Sequence, residues 1–423
     1  MGAEASASIG LMETTMWLLG SICSATAAGF YVQVSHQLGS NDPARARSTL
    51  RQGIMSVLVV SALLGLVSLA VSPFLPTWLG GNSHITHTAS AYFAIVATAL
   101  PIFQFSIFGA GMLRSSGNMV VPSVMSVVMM SLDVVFNFFL IFPTRPVELF
   151  GTQIMMPGMG MGVMGAAVGT VSAELVAASI TMYILCFRSK ELSLRIDTGR
   201  FLPTWGVVKR ALHISLPMGL QQTIMCSAYV MTTIIIAPLG TFAIAANSFG
   251  VIIESLCYMP GYGIADAATT LVGQSKGAGR HELMKRFAWL SVGLGVTVMA
   301  VMGVVMYVGA PTAMAMMTPA EEVRRLGVEV LRIEAFAEPM FAAAIVSYGV
   351  FVGAAKTLVP SIMNLISIWG VRISLAAMLA PSMGLRGVWI AMCIELCFRG
   401  LIFLVKLKFW NIQTSCKHYG KDQ

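Results

Sequence analysis

Two short patterns set carboxylates where a carboxylate is costly. In SVVMMSLDVVFNFFLIF, Asp133 and Asn137 stand four residues apart inside an apolar run. That spacing puts both side chains on one face of a helix. A carboxylate beside an amide either binds Na⁺ through oxygens or holds a proton; the plain alternative is a hydrogen bond that packs two helices. Glu334 and Glu338 repeat the spacing in the run 328–354. Two acids on one face repel unless they share a proton or a cation, or one pairs with Arg332. Glu338 is the coupling candidate of the two, and Glu334 lies nearer the edge of its run, where water can solvate it. Glu254, ahead of Met259-Pro260-Gly261, and Asp266, in the Gly-rich GYGIADAATT, are candidates for lining a cleft. Pro101 and Pro339 stand within helical runs and free a carbonyl each, so they are candidate gating kinks. Glu174, Arg372, Glu395 and Arg399 lie on the last helices of each half, where pairing within the membrane is the plainer account. His36, at a helix end, reads as a polar cap rather than a proton relay.

The elements that carry these residues are membrane helices. The 423 residues are 57% hydrophobic and 10% charged, against roughly 25% charged in a soluble domain. Eleven apolar segments follow: 8–38, 53–79, 88–113, 119–142, 161–187, 211–237, 242–273, 286–309, 328–354, 358–380 and 386–409. Each is long enough to span a bilayer, which takes about 20 residues. Of the 26 Lys and Arg, nineteen fall in alternate loops and the C-terminal tail, including Arg45, Arg47, Arg51, Arg114, Lys190, Lys276 and Lys356. That side is cytoplasmic by the positive-inside rule. Eleven spans then put the N-terminus outside and the C-terminus inside. The +8 net charge belongs to these loops, so no nucleic-acid partner is expected.

An offset of 238 residues aligns the two halves without gaps. Pro101, Phe103, Ile107, Gly111, Val121, Pro122, Ser123 and Met125 match Pro339, Phe341, Ile345, Gly349, Val359, Pro360, Ser361 and Met363. Matched loops lie on the same basic side, so the repeat is parallel. The expected fold class is an all-α polytopic membrane protein of two parallel-repeat lobes. The lobes are 1–190, with five helices, and 211–423, with six, joined by a cytoplasmic linker over 191–210. At this offset the partner of segment 211–237 falls before Met1, so eleven helices are expected instead of twelve, the first being the missing one. Either the start is misplaced or the helix has been lost. The insertion 143–160 has no counterpart and reads as a flexible apolar external loop; its Met155, Met156 and Met159 raise copper(I) binding as a lesser alternative.

Enzyme signatures are missing from the sequence. It has no Gly-x-x-x-x-Gly-Lys-Ser/Thr and no His-Glu-x-x-His, so neither ATP hydrolysis nor that zinc chemistry is encoded; Gly273-Gln274-Ser275-Lys276-Gly277 fits Gly-x-Ser-x-Gly in letters only, at a helix end that opens a basic loop and not on a strand-to-helix elbow. The seven cysteines include no Cys-x-x-Cys pair and mostly lie in apolar runs, so they read as small buried hydrophobes rather than metal ligands. No cofactor is expected.

The stretch IESLCYMPGYGIADAATTLVGQSKGAGR (253–280) resembles the second-half signature of the multidrug and toxin extrusion (MATE) family, and VQVSHQLGSNDPARAR resembles the first-half turn. SVVMMSLDVVFNFFLIF is similar to that family's fifth helix and GVMGAAVGTVSAEL to its sixth. The resemblance implies twelve helices in two lobes around a central cleft. It implies export of amphipathic, often cationic, drugs or toxins by alternating access, in exchange for H⁺ or Na⁺. In the family the fifth helix often has Asn then Asp; here Asp133 and Asn137 exchange the types, and Thr170 matches a sixth-helix threonine near that cation site. The family's first-helix carboxylate is absent, its tenth-helix acid falls near Ala342, and Ile224 stands near its seventh-helix glutamate. The expected setting is the bacterial inner membrane, and the expected partners are small amphipathic molecules and the bilayer. A lipid-linked precursor flippase and a truncated, non-transporting membrane protein are the alternatives.

Overall fold

The computed structural model describes residues 3–79, 83–149 and 152–410; Cys416, Lys417 and Lys421 lie outside them. The chain divides into two compact units, 1–219 and 220–423.

Unit 1 begins with α1 (Ala3–Gly39) and α2 (Pro43–Val71), followed by the short α3 (Leu75–Trp78), α4 (Ser83–Thr98), α5 (Leu100–Ser115) and α6 (Val120–Ile141). A hairpin of β1 (Pro143–Leu149) and β2 (Thr152–Met159) precedes α7 (Gly162–Tyr183). The next helix, α8 (Trp205–Ile236), begins in this unit and continues into the second. Unit 2 holds α9 (Thr241–Gly277), α10 (His281–Met317), α11 (Glu321–Glu334), α12 (Glu338–Gly353), α13 (Leu358–Leu365), α14 (Ser374–Met383) and α15 (Leu385–Lys408), with a π-helical turn at Ile366–Ile373 between α13 and α14. Among the described residues nine helices are long and apolar enough to cross a membrane, and eleven spans result if each of two bent pairs counts as one. Their outward faces are apolar, as Val127, Met130 and Val134 on α6 show. Such a surface needs lipid.

The 238-residue repeat is visible at atomic detail. α1 and α9 coincide end to end at that offset, and so do α5 and α12. The left-handed residues of the turns match as well: Asn41 (φ 60°) with Gly279 (φ 68°), and Gly117 (φ 86°) with Ala355 (φ 55°). Asn tolerates this region; Ala355 holds it at a cost of order 1–3 kcal/mol, supplied by the packed ends around it. The turn into α2 is fixed further by Asp42, whose Oδ1 accepts from the Arg45 amide at 2.9 Å, with Pro43 in the first helical turn.

Pro101 and Pro339 do not sit inside continuous helices, as the sequence suggested. Each stands in the first turn of the second member of a bent pair, with a 48° bend between α4 and α5 and a 59° bend between α11 and α12. The reason is the missing proline N–H, which deprives the carbonyl four residues back of its helical donor. Those carbonyls belong to Ala97 and Ala335. Each meets a glycine of a neighbouring helix: a Cβ at Gly65 would lie 2.8 Å from Ala97 O, and one at Gly303 would lie 2.7 Å from Ala335 O. The two glycines are again 238 apart. Gly111 and Gly349 play a similar part lower on the same helices, where a Cβ would collide with the Tyr31 ring and the Ala265 carbonyl.

The insertion 143–160 is also more ordered than a flexible loop. Its strands pair antiparallel from Pro143↔Met159 to Leu149↔Thr152. Arg145 caps the end of α6 by lying 3.8 Å from the Phe142 ring centroid and 5.2 Å from that of Phe138.

On the basic side of unit 1, the segment after α7 is tied back to α2. Asp197 accepts from Arg47 Nε at 2.7 Å and Arg51 Nη2 at 2.5 Å. Gln52 Oε1 accepts from the Thr204 amide at 2.8 Å and hydroxyl at 2.9 Å. The hydrogen bonds from Arg47, then Arg51, hold the Asp197 carboxyl below the usual carboxylate range.

Candidate functional site

Each unit carries its own acidic site. In unit 1 the site lies between α6 and α7. Asp133 Oδ1 accepts two hydrogen bonds, from Asn137 Nδ2 at 3.0 Å and from Thr170 Oγ1 at 2.7 Å. The structure thus brings together three residues that the sequence singled out. Glycines on α7 permit the approach: a Cβ at Gly169 would overlap the Asn137 side-chain oxygen, and one at Gly165 would lie 2.5 Å from the Leu140 carbonyl. Asn137 Oδ1 is buried and has no hydrogen-bond partner. An orphan amide oxygen beside a carboxylate is a pair of oxygen ligands for a hard cation or a proton. One turn along α7, Glu174 is buried, with Ser106 within hydrogen-bonding reach and Asp133 close enough to act on it electrostatically. Tyr92 of α4 feels both Asp133 and Glu13. Neither Tyr92 nor Ser106 is marked by sequence, because their relation to Asp133 runs between helices.

In unit 2 the acids gather around the bend between α11 and α12. Glu334 is the last residue of α11 and Glu338 the first of α12, so the break falls between them and they do not share one face of one helix. Glu334 is not at a solvated edge: both acids are only 1% exposed. All four of their carboxylate oxygens lack hydrogen-bond partners. Glu254 on α9 is 7% exposed and lies, with Glu338, Glu395 and Arg372, in electrostatic range of Glu334.

Glu395 is the opposite case. Its Oε2 accepts from Arg372 Nε at 3.0 Å and Nη2 at 2.8 Å, and from Arg399 Nη2 at 3.0 Å. Its Oε1 accepts from Ser367 Oγ at 2.6 Å and has Arg399 Nε 2.9 Å away, close as an ion pair but out of line for a hydrogen bond. The Arg399 guanidinium also lies 5.5 Å from the Phe341 ring centroid. Ser367 and Arg372 are five residues apart. Ordinary 3.6-residue winding would separate them by about 140°; the π-helical i→i+5 winding brings them to one side. Pairing of Arg372, Glu395 and Arg399 within the membrane was expected from the sequence; the part of Ser367 was not, because the α-helical period sets it apart from Arg372.

The other candidates are placed apart from these clusters. Asp266 is half-buried within the continuous helix α9 rather than at its end. Pro101 and Pro339 shape the bends and carry no polar group of their own. His36 is buried near the end of α1.

Two parallel repeats of apolar helices, each enclosing ionisable groups, define a multi-pass membrane protein of the two-lobe transporter type. The chain belongs to the MatE family: the family's profile matches residues 1–139 and 217–378. That family is one of transporters, not enzymes. Similar curated relatives are a "Probable multidrug resistance protein NorM" of Thermotoga maritima, 24% identical over 95% of this chain and 84% of the relative. One of the same name from Chromobacterium violaceum is 27% identical over 92% of this chain and 82% of the relative. Among solved structures, an "Outward-facing conformation of a multidrug resistance MATE family transporter of the MOP superfamily" superposes with a TM-score of 0.88 at 19% identity, over 99% of this chain and 90% of that one. A MATE crystal structure "in the straight conformation" gives 0.87 at 19% identity, over 96% and 88%. At such identities the structures speak for the fold alone.

Proposed function

We propose that this chain is a secondary antiporter of the bacterial inner membrane that exports amphipathic, often cationic, organic compounds in exchange for H⁺ or Na⁺ by alternating access. The observation that carries this reading is the pair Glu334 and Glu338: four carboxylate oxygens without partners, at 1% exposure, flanking a 59° bend. A buried acid without a hydrogen bond is tolerated only as the neutral acid or with a cation beside it. Glu334 lies in electrostatic range of Glu254 and Glu338, and like charges in a dry site repel when both are ionised. That repulsion acts across the bend, so loading a proton or cation onto the cluster favours a closer approach of α11 and α12. Ion occupancy and backbone angle are thereby linked, as exchange transport requires. Asp133, Asn137 and Thr170 form a second coupling site, where the orphan amide oxygen of Asn137 and the Asp133 carboxylate receive the ion. The relatives' printed names, multidrug resistance proteins, support the substrate class.

The test is dye export from cells lacking other pumps, and from proteoliposomes under an imposed H⁺ or Na⁺ gradient. Expression of the wild-type chain should lower accumulation of cationic dyes, and one gradient should drive export where the other does not. Equal dye accumulation with and without the protein, over chemically varied dyes, would sink the proposal.

A further inference from the structure

Outside both acidic sites, one cation is placed on an apolar surface. Arg332 is exposed, and among the described residues no carboxylate pairs with it. The nearby Glu329 is taken by Arg386 at 2.6 Å, and Glu334 is turned inward at 1% exposure. Arg332 is held in place by a consequence of Pro311. That proline lies inside α10 and cannot donate to the carbonyl of Tyr307, four residues back. Arg332 Nε reaches the freed carbonyl at 3.5 Å, and its guanidinium lies 5.2 Å from the Tyr307 ring centroid. This leaves most of the guanidinium's five donors facing outward.

Arg332 lines a groove of about 380 Å³ whose other walls are Tyr307, Ile333, Phe336, Ile390, Cys393 and Ile394. The Phe336 ring meets that of Tyr307 edge-on at 5.7 Å. Depth in the membrane follows from length. α10 has 37 residues, about 55 Å at 1.5 Å per residue, against about 30 Å of hydrocarbon. Roughly a dozen ångströms therefore project at each end. Tyr307 precedes the end of α10 at Met317 by about 15 Å, which puts it and Arg332 at the boundary between headgroups and acyl chains. Tyrosine rings gather at that level. The boundary is the one opposite the Lys/Arg-rich loops, since α10 starts beside Lys276, Arg280 and Lys285.

We propose that this groove binds a glycerophospholipid of that leaflet, its phosphate on Arg332 and an acyl chain between Ile333, Ile390 and Ile394. An arginine near the end of a span reaches the headgroup level, where lipid phosphates are the anions at hand. A phosphate, bound by the planar fork through two parallel hydrogen bonds, supplies the missing counter-charge at that depth. The apolar walls supply what a free anion would not need. The groove adjoins the acidic cluster of unit 2, since Ile333 and Ile394 are the chain neighbours of Glu334 and Glu395 and Cys393 of its wall feels Glu334, but no carboxylate lines it and the proposal does not rest on the transport reading.

Native mass spectrometry of the purified full-length protein tests it. Dioleoylphosphatidylglycerol and dioleoylglycerol, which lacks the phosphate, are titrated in turn against the wild type, Arg332→Gln and Ile394→Trp. In the wild type the first phosphatidylglycerol should bind at least tenfold more tightly than the diacylglycerol. Arg332→Gln should weaken it about tenfold while leaving the diacylglycerol unchanged. Ile394→Trp, at a half-exposed position, should fill the groove and weaken the first phospholipid with Arg332 intact; monodisperse elution checks folding of both variants. Unchanged phosphatidylglycerol binding in Arg332→Gln would overturn the proposal. So would competition by inorganic phosphate alone, which would make the groove a free-anion site.

Discussion

The two lobes share a scaffold and differ in where they put their acids. At the bend of unit 2 stand Glu334 and Glu338; 238 residues earlier, at the bend of unit 1, stand Val96 and Leu100, 8% and 4% exposed. On the following helix the pattern reverses. Unit 1 has Asp133 and Asn137, and the matching positions of unit 2 are Val371 and Leu375. Ser367 and Arg372 of the Glu395 clamp correspond to Met129 and Val134, and Val134 faces outward. What repeats is structural: the prolines after the bends, Gly65 and Gly303 against the freed carbonyls, and Gly111 and Gly349 in the helix contacts. At the bends and on the helices that follow them, what does not repeat is ionisable. The fold therefore requires the bend and the close packing, not a charge at either place. Each charged cluster is an addition that one lobe alone carries.

That comparison can be broken most severely at Glu395. Glu395→Ala leaves Arg372 and Arg399 facing each other without their shared carboxylate. Removing one member of a buried ion pair costs about 3–5 kcal/mol. The expected outcome is loss of most monodisperse protein in size-exclusion chromatography after a thermal challenge; an unchanged melting profile would mean the clamp adds nothing to unit 2. The next largest effect is on transport. Glu334→Gln with Glu338→Gln should reduce gradient-driven dye export at least tenfold while expression stays normal, because amides cannot release a proton. Asp133→Asn should likewise abolish coupled export in an intact, inserted protein. Full activity in either variant would assign coupling to the other lobe alone.

Planting the acid of one lobe in the other sharpens the contrast. Leu100→Glu puts a carboxylate at the bend of unit 1, where the structure supplies no counter-charge. It should lower stability by about 2–3 kcal/mol and confer no new pH dependence of export, as read by thermal melts and dye assays. The smallest effect concerns the Asp197 tie on the basic side, a solvent-accessible pairing of modest worth. Its folded-state carboxyl is held below the usual value of about 3.9. Stability from it is therefore fully present above that value and is lost as pH falls through the lower, folded one. Asp197→Asn should raise amide exchange over residues 189–204 at neutral pH and should abolish the further rise seen in the wild type under strongly acid conditions.

Much of this was legible from one chain of letters. Membrane helices announce themselves because lipid forces each span to be apolar over its own length, a local property. The repeat was legible because prolines and glycines are tied to backbone geometry, so their spacing survives where side-chain chemistry does not. Asp133, Asn137 and Thr170 were readable because two of them share a helix face at i,i+4 and the third falls in a recognisable helix motif. The prolines marked candidate kinks in the sequence, but not that each helix would end and a new one begin there. A proline states that a carbonyl is freed, but only the glycine on the neighbouring helix decides that the chain breaks there. That break split Glu334 from Glu338 and buried the one expected at a solvated edge.

By itself, then, the sequence determined the class of fold, the parallel repeat, the polarity of the basic loops and the acid–amide–hydroxyl set of unit 1. Only the tertiary structure decided which carboxylates are matched and which are not. Glu395 and Glu338 are the same residue type in similarly apolar surroundings of sequence. One is clamped by groups from a π-helical turn and its own helix, and the other has no partner. Charge pairing in a bilayer depends on contacts between helices distant in sequence and on winding that departs from 3.6 residues per turn, and neither leaves a periodic mark along the chain.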